Sequence, residues 1–121
     1  MIKFICIILF TFFNIIFIPA QTYDTTMMKN KKELAKNYNK AIEHLQVSNY
    51  TQAIHYIEQT LNFDQAYIPA LLQRGKIYFQ QNKIELAFND FSRILSLEPA
   101  HPEANFNMGY SYFIIDSFAD A

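Results

Sequence analysis

From about residue 30 onward, apolar positions recur at three- and four-residue intervals and are interrupted by short polar turns. The pattern predicts helices over 30–46, 50–62, 68–81, 84–97 and 102–115. Leu71, Gly75, Tyr78 and Phe79 fall at helical spacing, as do Ile84, Ala87, Phe88, Phe91, Ile94 and Leu95, so each segment offers one apolar stripe. Two such stripes bury each other as a hairpin. Turns are expected at Val47-Ser48-Asn49, at Gln81-Asn82-Lys83 and across Glu98-Pro99-Ala100-His101-Pro102, where Pro102 suits the first turn of a new helix. The chain has only two Gly, both inside periodic stretches, which argues against an all-β fold rich in tight turns and points to an all-α one. Glycine inside a helix costs about 1 kcal/mol relative to Ala, so Gly75 implies a packing reason. Gly75 and Ala87 are the expected points of close helix approach, with Tyr78 and Phe91 filling the space beside them.

The pattern also repeats. Gly75 and Gly109 are 34 residues apart, as are Ala70 and Ala104, Tyr78 and Tyr112, Phe79 and Phe113, and Ala87 and Ala121. One interval back, Ala41, His44, Ala53, Ile57 and Leu61 take the places of Gly75, Tyr78, Ala87, Phe91 and Leu95 without an insertion. This spacing resembles the tetratricopeptide repeat, a helix–turn–helix unit. In the unit 68–101, Leu71, Gly75, Tyr78, Ala87, Phe91 and Pro99 stand at that family's fourth, eighth, eleventh, twentieth, twenty-fourth and thirty-second positions. The unit 34–67 is weaker: His44 replaces the usual aromatic and Gln65 the closing Pro. The unit 102–121 is partial, and 21–33 is a lead-in.

The resemblance implies a tetratricopeptide-type helical hairpin solenoid, non-catalytic and without a cofactor, in which the first helix of each unit lines a concave groove for a protein or peptide. The matching positions here are Tyr38, Asn39, Ile42, Leu45 and Gln46, then Leu72, Gln73, Lys76, Phe79 and Gln80, then Phe106, Asn107, Tyr110 and Phe113. Packing between units is the competing reading of the same residues. The branch of the family that clamps a terminal carboxylate uses Lys, Arg and Asn at set positions. Tyr38, Ile42, Glu103 and Asn107 occupy four of them here, so that clamp is not expected.

The first twenty residues are a separate object. Lys3 precedes an apolar run from Phe4 to Ile18, then Pro19 and Ala20, which reads as a secretory signal peptide cleaved after Ala20. The alternative is an uncleaved membrane anchor over 4–20, at the short end of the roughly 17–25 residues a spanning helix needs. Either places the repeats outside the cytoplasm, in the cell envelope or secreted, with the membrane a partner only through this segment. Cys6, the single cysteine, lies inside the run, so a processed chain has no thiol or disulfide chemistry.

Lys plus Arg number 10 against 11 Asp plus Glu, which gives no electrostatic case for nucleic acid. Lys32, Lys36 and Lys40 form a ridge read as a solvated helix face. His44, His55 and His101 lie on different segments without carboxylates at ligand spacing, so no metal site is expected, and His44 reads as a packing residue. Asn49-Tyr50-Thr51 is a glycosylation sequon at a turn, or ordinary turn chemistry. No nucleophile elbow, phosphate loop or zinc-protease helix is found. Asp116-Ser117 is expected to cap a following helix starting at Phe118. With the sequence ending at Ala121, Phe106, Met108, Tyr112, Phe113 and Ile115 are expected to leave an uncovered apolar patch, the mark of a longer chain, a partner or self-association. The leading function is an interaction scaffold. The alternatives are an oligomeric structural subunit completed by a neighbouring chain, or the front of a longer sensor or enzyme.

Overall fold

The computed structural model describes residues 20–119, with side chains from 25 to 117, so the expected signal or anchor lies outside the described residues but for Ala20. The chain divides into two compact units, one ending at Lys31 and one beginning at Lys32. Five helices follow one another: α1 Ala20–Gln46, α2 Tyr50–Phe63, α3 Ile68–Gln80, α4 Ile84–Leu97 and α5 Pro102–Ala119. No strand occurs among the described residues.

Two boundaries differ from expectation. Helix α1 starts at Ala20 rather than near residue 30, because 20–33 holds neither Gly nor Pro and nothing there stops a helix once it has formed. Helix α5 passes through Asp116-Ser117 instead of turning, and the Ser117 hydroxyl donates back to the Phe113 carbonyl at 2.6 Å. In the two complete hairpins the second helix packs back and holds the turn shut. The described residues after Ser117 are too few to do so.

Those two turns are built alike. After α1, the Asn49 N–H reaches the His44 carbonyl at 2.9 Å and the Ser48 N–H reaches that of Leu45 at 3.0 Å. After α3, Lys83 reaches Tyr78 at 2.8 Å and Asn82 reaches Phe79 at 3.0 Å. This double closure requires a left-handed residue, and Ser48 and Asn82, one repeat apart, take φ of 56° and 59°. Serine tolerates that region less well than Asn or Gly. Ser48→Gly is therefore expected to raise stability by about 0.5–1 kcal/mol in urea unfolding, and Asn82→Gly by less. The Asn49 side chain accepts from the Gln52 N–H at 3.3 Å and so caps α2, while the His101 Nδ1 accepts from the Ala104 N–H at 3.2 Å and caps α5.

The core runs along the stack. Ala41, Ala53, Ile57, Ala70, Ala87, Phe91, Ile94 and Ala104 are fully buried, with Leu61, Leu71 and Ile77 nearly so. Helices α2 with α3, α3 with α4, and α4 with α5 pack in chain order, so each hairpin covers the flank its neighbour exposes. The ring of Phe91 fills the space against Gly75, as expected, and Ala87 is fully buried on the same helix. A β-carbon on Gly75 would lie 2.7 Å from Cε1 of that ring. Small side chains set a helix spacing, and one large ring then fills the pocket they open. Buried hydroxyls bond within their own helices, Thr60 to the Tyr56 carbonyl at 2.9 Å and Ser111 to that of Asn107 at 2.7 Å. No buried side-chain polar atom among the described residues lacks a partner.

Candidate functional site

The groove residues of the sequence reading fall into two clusters at the junctions between units. At the first, the Tyr38 ring meets Tyr67 edge to face at 5.3 Å. Burial pushes the Tyr38 phenol above its ordinary value, Tyr67 adds to that, and the Gln73 side chain opposes it. Ile42 and Leu45 are half-buried, and Leu45 packs against the core. Leu72 belongs to the core itself at 9% exposure, which leaves little of it for a partner.

At the second junction Phe79 and Tyr110 lie 5.4 Å apart, and Tyr110 stacks on Phe113 at 6.5 Å. Phe106, one turn earlier on α5, is 73% exposed, Phe113 67% and Tyr110 48%. These rings form a continuous aromatic surface. Lys76, the one cation in the groove set, pairs with Glu103 at 2.8 Å in an exposed bridge between α3 and α5. Asn107 is half-buried, with its carbonyl taken by Ser111. The apolar patch expected at the end of α5 is present in Phe106, Tyr112, Phe113 and Ile115. Met108 is an exception, since it is partly buried against the core.

Sequence reasoning missed an ion pair. Arg74 on α3 grips Asp90 on α4 with two hydrogen bonds, Nε to Oδ2 at 2.9 Å and NH2 to Oδ1 at 2.7 Å. Asp90 is buried, and its hydrogen bond holds the Arg74 guanidinium above its ordinary value against the opposing effect of burial. The signal was legible: Asp90 sits on the apolar stripe of α4 between Ala87 and Phe91, and a carboxylate there demands a cation. Arg74, Asp90, Glu58 and Arg93 line a polar cleft of about 730 Å³, in which Arg74 and Asp90 neutralise each other. Burial also pushes the Tyr78 phenol up, with Arg74 pulling the other way. Among the described residues no three His, Cys, Asp or Glu side chains stand close enough to hold a metal ion, and no described helix is long and apolar enough to cross a membrane.

A family model for the TPR repeat matches residues 75–114, which run from Gly75 through α4 to Ile114. Residues 75–114 carry a tetratricopeptide repeat. The match spans the junction that the Phe79–Tyr110 contact closes, so the repeat register, the hairpin geometry and the family agree on the same residues. The mouse protein Sperm-associated antigen 1 is 31% identical over 61 residues, half of this chain and 7% of that protein. The chain thus corresponds to a small part of that relative's length. Tetratricopeptide repeats generally mediate protein–protein interactions and are generally non-catalytic. Other readings of single residues find physical partners here. His44 stacks on Tyr56 at 5.4 Å, and in the lysine ridge Lys36 pairs with Glu33 at 3.3 Å while Lys40 lies over the Tyr56 ring at 5.0 Å.

Proposed function

We propose that the chain is a non-catalytic scaffold that holds a peptide or protein segment along the concave face of its repeats, outside the cytoplasm. The observation that carries this is the exposed aromatic surface of Phe106, Tyr110 and Phe113, continuous with Phe79. Rings left in water at this density are the kind of anchor on which interface energy concentrates. Asn107 and the Lys76–Glu103 bridge on the same helices, with Tyr38 and Gln73 at the first junction, supply amide, hydroxyl and charged groups that orient a peptide backbone, and Ile42 adds an apolar contact. The location rests on the first twenty residues, with Lys3, the apolar run and Ala20 in the order an export signal uses.

A peptide selected from a displayed library against the full chain is expected to lose roughly 10- to 100-fold in affinity with Phe113→Ala or Tyr110→Ala, read by fluorescence anisotropy. Both side chains are exposed, so far-ultraviolet circular dichroism is expected to stay unchanged. Full affinity in both variants would remove the groove from the account. N-terminal sequencing of the exported chain is expected to begin at Gln21, whereas an intact Met1 in the membrane fraction would establish the anchor instead.

A further inference from the structure

Helices α3 and α5 are joined by two side-chain contacts. Lys76 Nζ donates to Glu103 Oε1 at 2.8 Å, and the Phe79 ring meets that of Tyr110 at 5.4 Å. Lys76 stands one turn before Phe79 and Glu103 two turns before Tyr110, so the ion pair and the rings lie along one seam. Lys76 is the one charged residue among the groove positions of α1, α3 and α5, and Glu103 closes its charge on itself. Stacking of the units does not require this pair, since one repeat earlier the same two positions hold Ile42 and Pro69. Both side chains keep solvent access, 43% for Lys76 and 47% for Glu103, so a bound segment can reach either. Glu103 also sits in the first turn of α5, where exposed N–H groups favour a carboxylate, so the helix as well as Lys76 holds it in place.

We propose that the Lys76–Glu103 pair sets the charge specificity of the groove: its occupant is an uncharged segment with aromatic or aliphatic side chains, and Glu103 is the residue that turns acidic segments away. This rests on the peptide-binding reading above and adds the chemistry of the partner to it. The reason is electrostatic. A ligand carboxylate gains from Lys76 only by displacing Glu103, which the fold already holds at 2.8 Å, and it otherwise meets Glu103 as a like charge. A ligand cation is in the mirror situation, with Glu103 taken and Lys76 repelling it. An uncharged segment meets neither cost and lays its side chains on the Phe79 and Tyr110 rings.

The probes are an uncharged peptide from a displayed library selected on the full chain, acetylated and amidated at its ends, and copies of it in which one position at a time is changed to Glu. Fluorescence anisotropy gives the ratio of each copy's affinity to that of the uncharged parent, and the ratio cancels any change of the groove common to both. The copy that loses most on the native chain is expected to recover about fivefold in this ratio with Glu103→Gln, and to keep most of its native ratio with Glu103→Asp, which retains the charge. Adding Lys76→Met to Glu103→Gln is expected to abolish the recovery, because no cation is left to meet the ligand. The pair is exposed, so these variants keep the fold, and circular dichroism checks this. A native-chain selection rich in charged peptides, an unchanged ratio with Glu103→Gln, or a recovery that persists after Lys76→Met would overturn the proposal. If Tyr110→Ala weakens the uncharged peptide while the ratios stay flat, the groove stands and only its charge selectivity falls. If Tyr110→Ala leaves binding intact, the groove reading falls and the selectivity with it.

Discussion

Phe91→Ala is expected to cost about 3–5 kcal/mol, read as a lower urea midpoint at unchanged slope. Phe91 is fully buried and its ring fills the slot that Gly75 leaves open, so truncation removes both the transfer energy and the contacts of the surrounding wall. Against a total stability of roughly 5–15 kcal/mol for a domain, that is a large share. The same contact makes a sharper expectation for Gly75→Ala. The new β-carbon falls 2.7 Å from a ring with no free volume to swing into, and overpacking of about 1–3 kcal/mol outweighs the gain of about 1 kcal/mol in helix propensity. In the Phe91→Ala background the sign reverses, because the ring is gone and only the propensity gain is left. Strict additivity in that double-mutant cycle would show that Gly75 is not there to admit Phe91. Gly109→Ala, with nothing described within 4 Å, is expected to stabilise the isolated chain by about 1 kcal/mol.

Asp90→Ala is the second large expected loss, about 2–4 kcal/mol. The substitution leaves the Arg74 guanidinium beside the core without the carboxylate that accepts two of its hydrogen bonds. Arg74 keeps 23% side-chain exposure against 7% for Asp90, so water partly compensates the arginine and the loss falls toward the lower part of the range for fully buried pairs. Replacing both partners, Arg74→Met with Asp90→Leu, is expected to recover most of it, since no charge is then stranded. A double variant as unstable as Asp90→Ala alone would show that the pair is worth more than its own desolvation.

Much of the architecture was legible because periodicity and spacing report burial directly. Residues such as Leu71, Ala87, Phe91 and Ile94 recur at helical intervals because one face of each helix is dry, and the 34-residue register follows from identical hairpins stacking without insertion. Helix ends were less legible. The extension of α1 back to Ala20 lies where the apolar periodicity is weak and no breaker stops the helix, and the run of α5 through Asp116-Ser117 is not encoded by the capping preference of those two residues. The groove was legible only as a set of positions. Periodicity marks Leu72 and Phe113 alike as apolar helix residues, and only the stacked structure separates Leu72, at 9% exposure, from Phe113, at 67%.

The sequence by itself determined the repeat, its register, the hairpin turns and the presence of a distinct apolar run over 4–18, because each of these is a one-dimensional pattern of side-chain type. Tertiary structure alone decided how closely the Phe91 ring lies on Gly75, that Arg74 and Asp90 meet, and that Gly109 has no described neighbour within 4 Å although it occupies the same register position as Gly75. The physical reason is that a register position states what a residue can pack against, while only the arrangement of neighbouring helices states whether anything is there.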